Sequence, residues 1–301
     1  MRALQFTEYG GPEQLAWAQA PEPHAGPGQV RVAVRAASVN PVDVKMLSGA
    51  MAQDERPASP VLLGFDAAGV VDEVGEGVEG TAVGDEVLGR GSGTQADLAV
   101  LDAWTAKPPG VDWAVAAAAG VAGETSERGL RLLGVDAGST LFVDGGSGGV
   151  GAVAVQMAVA RGATVVASAS EANHPLLRDL GATPVLYGEG VVERVTDAVD
   201  GTVDAVFDVA GKTPAEELVR LVTDPSQVVS IANFGAASAG ARVTGGGDDS
   251  RPVQALELTA SLLADGRLEI PVQTFAFDQA ADAYRAIATG HVRGKLVLVH
   301  A

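Results

Sequence analysis

Apolar and polar positions change their spacing twice along the chain, marking out three zones. Up to about residue 112 the apolar positions come in short runs, at 29–35, 67–74, 85–88 and 96–100, separated by Gly and Pro. Short β-type runs punctuated in this way predict a compact, mostly antiparallel β domain. Between about 113 and 267, strand-length apolar runs at 140–143, 163–168, 184–187, 203–209 and 227–231 alternate with segments of helical character. Helices are predicted through about Ala160, at 172–180 up to Gly181, near 191–199 and at 214–222. This alternation predicts a doubly wound, mostly parallel sheet. After about 268, strand character returns at 269–273 and 295–299, on either side of a helix at 278–289. The class is therefore α/β, with one domain from 1–112 plus 268–301 and a second from 113–267.

The central zone holds the most informative stretch. An apolar run from Thr140 opens into Gly146-x-Gly148-x-x-Gly151, and an Ala/Val-rich helix follows. Gly146 is expected to make the sharp turn, Gly148 to let backbone approach a pyrophosphate, and Gly151 to let the helix pack close to the strand. The turn also contains Ser147, Gly149 and Val150, at the helix start, where N–H groups and the positive end of the helix dipole hold anionic phosphates. A GxGxxG is weak evidence alone. Here it lies between a strand and a helix, with a second strand at 163–168 beyond.

Composition narrows the picture further. The 301 residues are enough for two domains, and 47% hydrophobic with 19% charged residues indicates compact folding. A net charge of -18 repels nucleic acid and anionic membrane surfaces, so neither is an expected partner. No cysteine is present, which excludes disulfides, thiol catalysis and cysteine-ligated zinc. The four histidines, His24, His174, His291 and His300, show no ligand spacing, so no metal site is expected. Neither a secretory leader pattern nor an apolar stretch of bilayer length is read, and a cytoplasmic enzyme is the expectation.

Further segments carry a family likeness: 38–45 (SVNPVDVK), 60–71 (PVLLGFDAAGVV), 83–87 (VGDEV), the glycine fingerprint, 203–208 (VDAVFD) and the ending 290–298. In this order the chain resembles the zinc-free branch of the medium-chain dehydrogenases/reductases, and more narrowly its NADPH:quinone oxidoreductase-like group. The resemblance implies a GroES-like β domain, a Rossmann domain, an active site where the two meet, and a homodimer made by pairing Rossmann sheets. The zinc enzymes of the superfamily have Gly-His-Glu where this chain has Gly64-Phe65-Asp66.

The cofactor expectation is NADPH. NAD enzymes usually end the second Rossmann strand on Asp or Glu, which binds the ribose 2′-hydroxyl. Here that strand runs into Ser168-Ala169-Ser170, and the first carboxylate is Glu171, in the loop beyond. Hydroxyls can donate to a 2′-phosphate, which a carboxylate repels. The resemblance points to Ser168, Ser170 and Asn173 near the adenosine, and to Tyr187 on the 2′-phosphate. A cation is missing at 169–174, and Arg178 lies further along its helix.

At the reacting end, the resemblance places Thr125 beside the nicotinamide ribose, Asn233 and Phe234 on the nicotinamide, Ala210 and Gly211 along the same slot, and Arg293, Gly294 and Lys295 near the cofactor. Turn and strand-start roles are the plain alternative for Gly294 and Lys295. Asn40, Asp43 and Lys45 are the catalytic candidates. If their segment is extended, Asp43 and Lys45 point to one side and could pair, or Lys45 could donate a proton. The alternative is a turn cap at Asp43 and a solvated Lys45. Many relatives carry a tyrosine near the position of Ala50, so water is a candidate proton source here.

These readings imply an NADPH-dependent reductase of quinones or of the C=C bond of α,β-unsaturated carbonyl compounds. The alternative is a nucleotide-binding structural or regulatory protein of the same fold without turnover, as the family has supplied to the lens. A methyltransferase is disfavoured by the lack of an acidic residue ending the second strand and by the C-terminal return to β structure. Segment 245–250 (GGGDDS) is either a mobile loop or a surface turn.

Overall fold

The computed structural model describes residues 1–199 and 201–300. In chain order the first elements are β1 (Arg2–Phe6), β2 (Ala16–Gln19), β3 (Val30–Val39), α1 (Pro41–Leu47), β4 (Val61–Leu62), β5 (Asp66–Val74), β6 (Glu86–Ser92), β7 (Leu98–Ala106) and α2 (Trp113–Leu132). Next come β8 (Thr140–Asp144), α3 (Gly149–Ala160), β9 (Thr164–Ala169), α4 (His174–Asp179), β10 (Thr183–Leu186), α5 (Val191–Val199), β11 (Ala205–Asp208) and α6 (Ala215–Leu218). The rest are β12 (Val228–Ser230), β13 (Arg242–Val243), α7 (Pro252–Ala264), β14 (Val272–Ala276), α8 (Ala280–Ala288) and β15 (Lys295–Val299).

Two compact units emerge, one of residues 1–121, 252–266 and 270–301 and one of 122–251 and 267–269. The expected boundaries, 112/113 and 267/268, fall elsewhere. Helix α2 starts at Trp113 and runs on through the observed change of unit at 121/122, and α7 packs on β6 and β7 within the first unit.

In the first unit one sheet has the order β14-β15-β3-β5-β6-β7, and β3 also pairs with β7, so β3, β5, β6 and β7 form a closed ring. Register shifts in the β3–β5 ladder at Arg31/Val32 and Val34/Ala36 bend β3 enough for it to serve both neighbours. Its core gathers Phe6, Val32, Leu63, Leu101, Tyr284 and Leu298. This is the mixed-sheet, GroES-like part. Strand β14 begins at Val272, later than the run 269–273 suggests. Pro271 has no N–H to give a ladder, and its carbonyl instead accepts from Lys295 N at 2.9 Å.

The second unit is the Rossmann part. Its strands are all parallel in the order β10-β9-β8-β11-β12-β13, which is 3-2-1-4-5-6 when renumbered from β8. Strands β8 and β11 are buried nearly throughout, which is why they read as apolar runs without alternation. Helix α3 is buried from Gly151 to Ala158, so it too is apolar all round. The helix expected at 172–180 opens as a 3-10 turn (Glu171–Asn173) before α4, with Pro175 in the first turn of α4 where its missing N–H costs nothing. The helix expected at 214–222 is α6 plus a 3-10 turn, Val219–Leu221.

Candidate functional site

Strand β8 ends at Asp144 and α3 starts at Gly149, so the chain reverses within four residues. The positive backbone angle belongs to Gly145 (φ 98), one residue before the glycine assigned to the turn from sequence. Gly146 answers to packing instead, since a Cβ there would sit 2.6 Å from the Ala167 Cβ. Gly148 caps α3 in extended conformation (φ -77, ψ 175), and a Cβ would meet only the Gly145 carbonyl, at 3.5 Å. Gly151 has no such room, because its Cβ would lie 2.2 Å from that carbonyl. Ser147, Gly148, Gly149 and Val150 are partly exposed. An open turn at the N-terminus of a twelve-residue helix, whose first N–H groups lack intrahelical acceptors, fits a pyrophosphate.

Part of the adenosine-side set comes together beside this turn. Asn173 Nδ2 donates to Ser170 Oγ at 3.1 Å and Ser147 Oγ at 3.3 Å, tying the loop after β9 to the glycine turn. Tyr187 N donates to the Ala169 carbonyl at 3.2 Å, which sets the 45% exposed ring beside the end of β9. Arg178 is exposed, and Arg194 is committed to the carbonyls of 186–189. Ser168 requires a correction. It is fully buried, gives its proton to Asp144 Oδ1 at 2.5 Å and accepts from Gly145 N at 2.9 Å. A hydroxyl has one proton to donate, so Ser168 braces the turn and does not present a donor to a phosphate.

Other expected cofactor residues sit at the C-terminal ends of the strands. The Ala210 and Gly211 N–H groups donate to Asp208 Oδ1 at 3.2 and 2.7 Å. Asn233 N donates to Ser230 Oγ at 2.9 Å, its Oδ1 accepts from Gly235 N at 3.0 Å, and the next residue, Phe234, is 62% exposed. An apolar ring held outward by a capped turn is a ready contact for a flat ligand. Thr125, on α2, is buried and its Oγ1 accepts from Arg128 Nη2 at 3.5 Å. In the first unit, Arg293 is exposed.

The first unit hides a charged core that the sequence reading met only in part. Segment 41–47 is helical, so the extended arrangement of Asp43 and Lys45 does not form; residues two apart on a helix lie about 200° apart around its axis. Asp43 is fully buried, with Oδ2 accepting from Asn40 N at 2.7 Å and Oδ1 from Gly64 N at 3.0 Å. Asn40 uses its side chain elsewhere: Nδ2 donates to Asp66 Oδ1 at 2.9 Å, and Oδ1 accepts from Lys295 Nζ at 2.5 Å. Asp66 also accepts from Ser38 Oγ at 2.6 Å and Val121 N at 2.8 Å, with the Lys295 ammonium 3.8 Å away. Lys295 is therefore not an exposed strand start; its charge is turned inward as the counter-ion of Asp66. Lys45 is half-buried on α1.

Burial governs the titration of this core. It pushes Asp43 up to about 7 against the backbone donors Asn40 and Gly64, lowers Lys295 from its ordinary value, and raises Tyr284 well above the usual phenol range. Tyr284 Oη donates to Gln95 Oε1 at 2.8 Å, and Gln95 Nε2 donates to the Ser38 carbonyl at 3.0 Å. Among the described residues, no group of three or more His, Asp or Glu is disposed to hold a metal ion.

A doubly wound sheet with an open glycine turn, joined to a closed β unit, defines a nucleotide-binding dehydrogenase. Comparison with known proteins agrees and narrows the class. Residues 26–125 match the alcohol dehydrogenase GroES-like domain family, and 180–298 match the zinc-binding dehydrogenase family. The chain is 36% identical, over 96% of its length, to the spectinabilin polyketide synthase system protein NorB of Streptomyces orinoci, of which it spans only 14%. It is 30% identical to the NADPH-dependent alkenal/one oxidoreductase, chloroplastic, of Arabidopsis thaliana, over 99% of this chain and 79% of that protein. The structure of the quinone oxidoreductase from Coxiella burnetii superposes with a TM-score of 0.87 at 29% identity, covering 100% of this chain and 99% of that one. The chain belongs to the quinone oxidoreductase-like branch of the medium-chain dehydrogenases/reductases, and is an oxidoreductase of that family.

Proposed function

We propose that this chain takes hydride from NADPH and delivers it, without zinc, to a quinone or to the C=C bond of an α,β-unsaturated carbonyl compound. The observation that carries this reading is the 145–151 turn, with room for a ligand at Gly148 and none for a side chain at Gly151. When bound, NADPH supplies the hydride. The chain's residues bind and orient. N–H groups at the start of α3, with Ser147, Gly149 and Val150, take the pyrophosphate. Ser170 and Tyr187 offer hydroxyl donors to the 2′-phosphate, with Asn173 holding the Ser170 hydroxyl through Nδ2 and no carboxylate ending β9. Thr125, Ala210, Asn233 and Phe234 of the second unit line the nicotinamide half, and Arg293, in the first unit, is assigned to the cofactor by the family resemblance alone.

Asn40 and Asp43 are positioning residues in this reading, because their hydrogen bonds fix the start of α1 and leave no group free for a substrate. Lys45, further along α1, or water supplies the proton, and a reduced quinone can take its protons from solvent. A homodimer paired through β13 belongs to the same reading, supported by the place of that strand at the sheet edge. A cytoplasmic location, supported by the charge of -18, belongs to it as well. No helix among the described residues is long and apolar enough to cross a membrane.

The experiment is a panel of quinones and enones with NADPH, followed by loss of reduced-nicotinamide absorbance, beside thermal-shift titrations with NADPH, NADH and S-adenosylmethionine. Turnover of at least one panel member and stabilisation by NADPH are expected. Stabilisation by S-adenosylmethionine alone, or NADPH binding without turnover of any member, contradicts the reading.

A further inference from the structure

The second unit contains a buried ion pair that the reading above does not use. Glu124 and Arg128, one turn apart on α2, are 1% and 4% exposed. Arg128 Nε donates to Glu124 Oε1 at 2.9 Å and Nη2 to Oε2 at 3.3 Å. Taking both charges out of water is costly unless further hydrogen bonds complete them. Those bonds come from one segment: Arg128 Nη1 donates to Thr244 Oγ1 at 2.8 Å, and Ser250 Oγ donates to Glu124 Oε1 at 2.6 Å. Arg131 Nη2 adds a bond to the Asp249 carbonyl.

Thr244 and Ser250 bracket three glycines, of which Gly246 and Gly247 adopt positive φ, 111 and 67. Such a stretch has the largest conformational entropy to lose, so its shape depends on what ties its ends. The segment starts beside Phe234, since a Cβ on Gly245 would lie 3.7 Å from that ring. The same guanidinium also donates to Thr125 Oγ1. With its oxygen accepting from Arg128 at 3.5 Å, Thr125 keeps its own proton to donate.

We propose that the Glu124–Arg128 pair is a positioning device: it fixes segment 244–250 beside Phe234 and orients the Thr125 hydroxyl, so that both are set before the cofactor arrives. The part about the cofactor rests on the reading given under Proposed function. The tether itself does not. Preorganisation of this kind lowers the ordering cost of binding.

The test compares the parent with Glu124→Leu/Arg128→Met and with Ser250→Ala. Replacing both members of a buried pair by apolar side chains usually preserves the fold, whereas removing one leaves a naked charge. The readouts are amide hydrogen exchange across 244–250, the NADPH dissociation constant, and kcat and KM separately. The double variant should keep a melting temperature within a few degrees of the parent, exchange this segment about tenfold faster or more, and bind NADPH about fivefold or more weakly. Ser250→Ala should speed exchange in the same segment by a smaller factor. Unchanged exchange and affinity in the folded double variant overturn the proposal. Should the double variant unfold, unchanged exchange in Ser250→Ala overturns it just as well. A parent that does not bind NADPH overturns the cofactor reading and the cofactor half of this inference, while faster exchange in the variants still upholds the tether.

Discussion

Asp144 and Asp208 stand opposite each other at the C-terminal ends of the neighbouring parallel strands β8 and β11. Each is flanked by a serine from the next strand outward: Ser168 donates to Asp144 Oδ1 at 2.5 Å, and Ser230 donates to Asp208 Oδ2 at 2.6 Å. All four side chains are buried. Asp208 has two more donors, the N–H groups of Gly211 and Ala210, whereas Asp144 Oδ2 has no hydrogen-bond partner. Burial, with the Asp144 charge adding to it, raises Asp208 above the ordinary carboxylate range. This polar row holds the strand ends from which the glycine turn and the 210–211 turn depart.

Ser168→Ala should therefore act on stability and not on cofactor choice. It strips Asp144 of its hydroxyl donor and Gly145 N of its acceptor, at a cost of about 1.5–3 kcal/mol. Calorimetry should show a melting temperature lower by several degrees, with the ratio of NADPH to NADH dissociation constants unchanged within about twofold. A tenfold change in that ratio at unchanged stability would return Ser168 to the phosphate site.

Ser170→Asp is expected to do what Ser168→Ala does not. Ser170 lies past the end of β9, partly exposed and bonded to Asn173, and a carboxylate there would face a 2′-phosphate. NADPH affinity should fall tenfold or more relative to NADH, since a charge-assisted donor is replaced by a like charge. Dissociation constants for both cofactors, parent against variant, decide it. An unchanged ratio removes this loop from cofactor selection.

Asp43 predicts a specific pH dependence. Its folded value, about 7, lies above its ordinary 3.8, so the folded state holds the proton more tightly than the unfolded chain. Stability must then fall as pH rises between those two values and level off above 7. Asp43→Asn abolishes that titration while losing one acceptor for a backbone N–H, an offset of about 1–3 kcal/mol at every pH. Between pH 5 and 7.5 the parent should lose on the order of 2 kcal/mol relative to the variant in urea unfolding. Parallel stability curves would show that Asp43 ionises freely in the fold.

The sequence made the second unit easy to read and the first unit's charged core hard. Strands buried on both faces announce themselves as apolar runs, and the fingerprint located the turn to within a residue. The missed residue was Gly145, because adjacent glycines leave open which of them takes positive φ. Helix α1 is seven residues long, too short for a period to show; Pro41 at its first position and an acid at Asp43 were the available signs. Ser168 and Ser170 look alike in sequence and differ because β9 ends between them, at Ala169. Lys295 meets Asn40 across 255 residues of chain, which no local pattern records. Glu124 and Arg128 went unread for another reason: they form an i,i+4 pair on α2, a helix the spacing of apolar positions did not predict.

The most direct measurement of the central claim is the NADPH affinity of Gly148→Val. The backbone at Gly148 is extended and its surroundings are open, so the fold accepts the side chain, which would then occupy the space assigned to the pyrophosphate. By titration calorimetry, a variant melting within a few degrees of the parent should bind NADPH at least a hundredfold more weakly, about 2.7 kcal/mol. A folded Gly148→Val protein that binds NADPH as tightly as the parent would contradict the account.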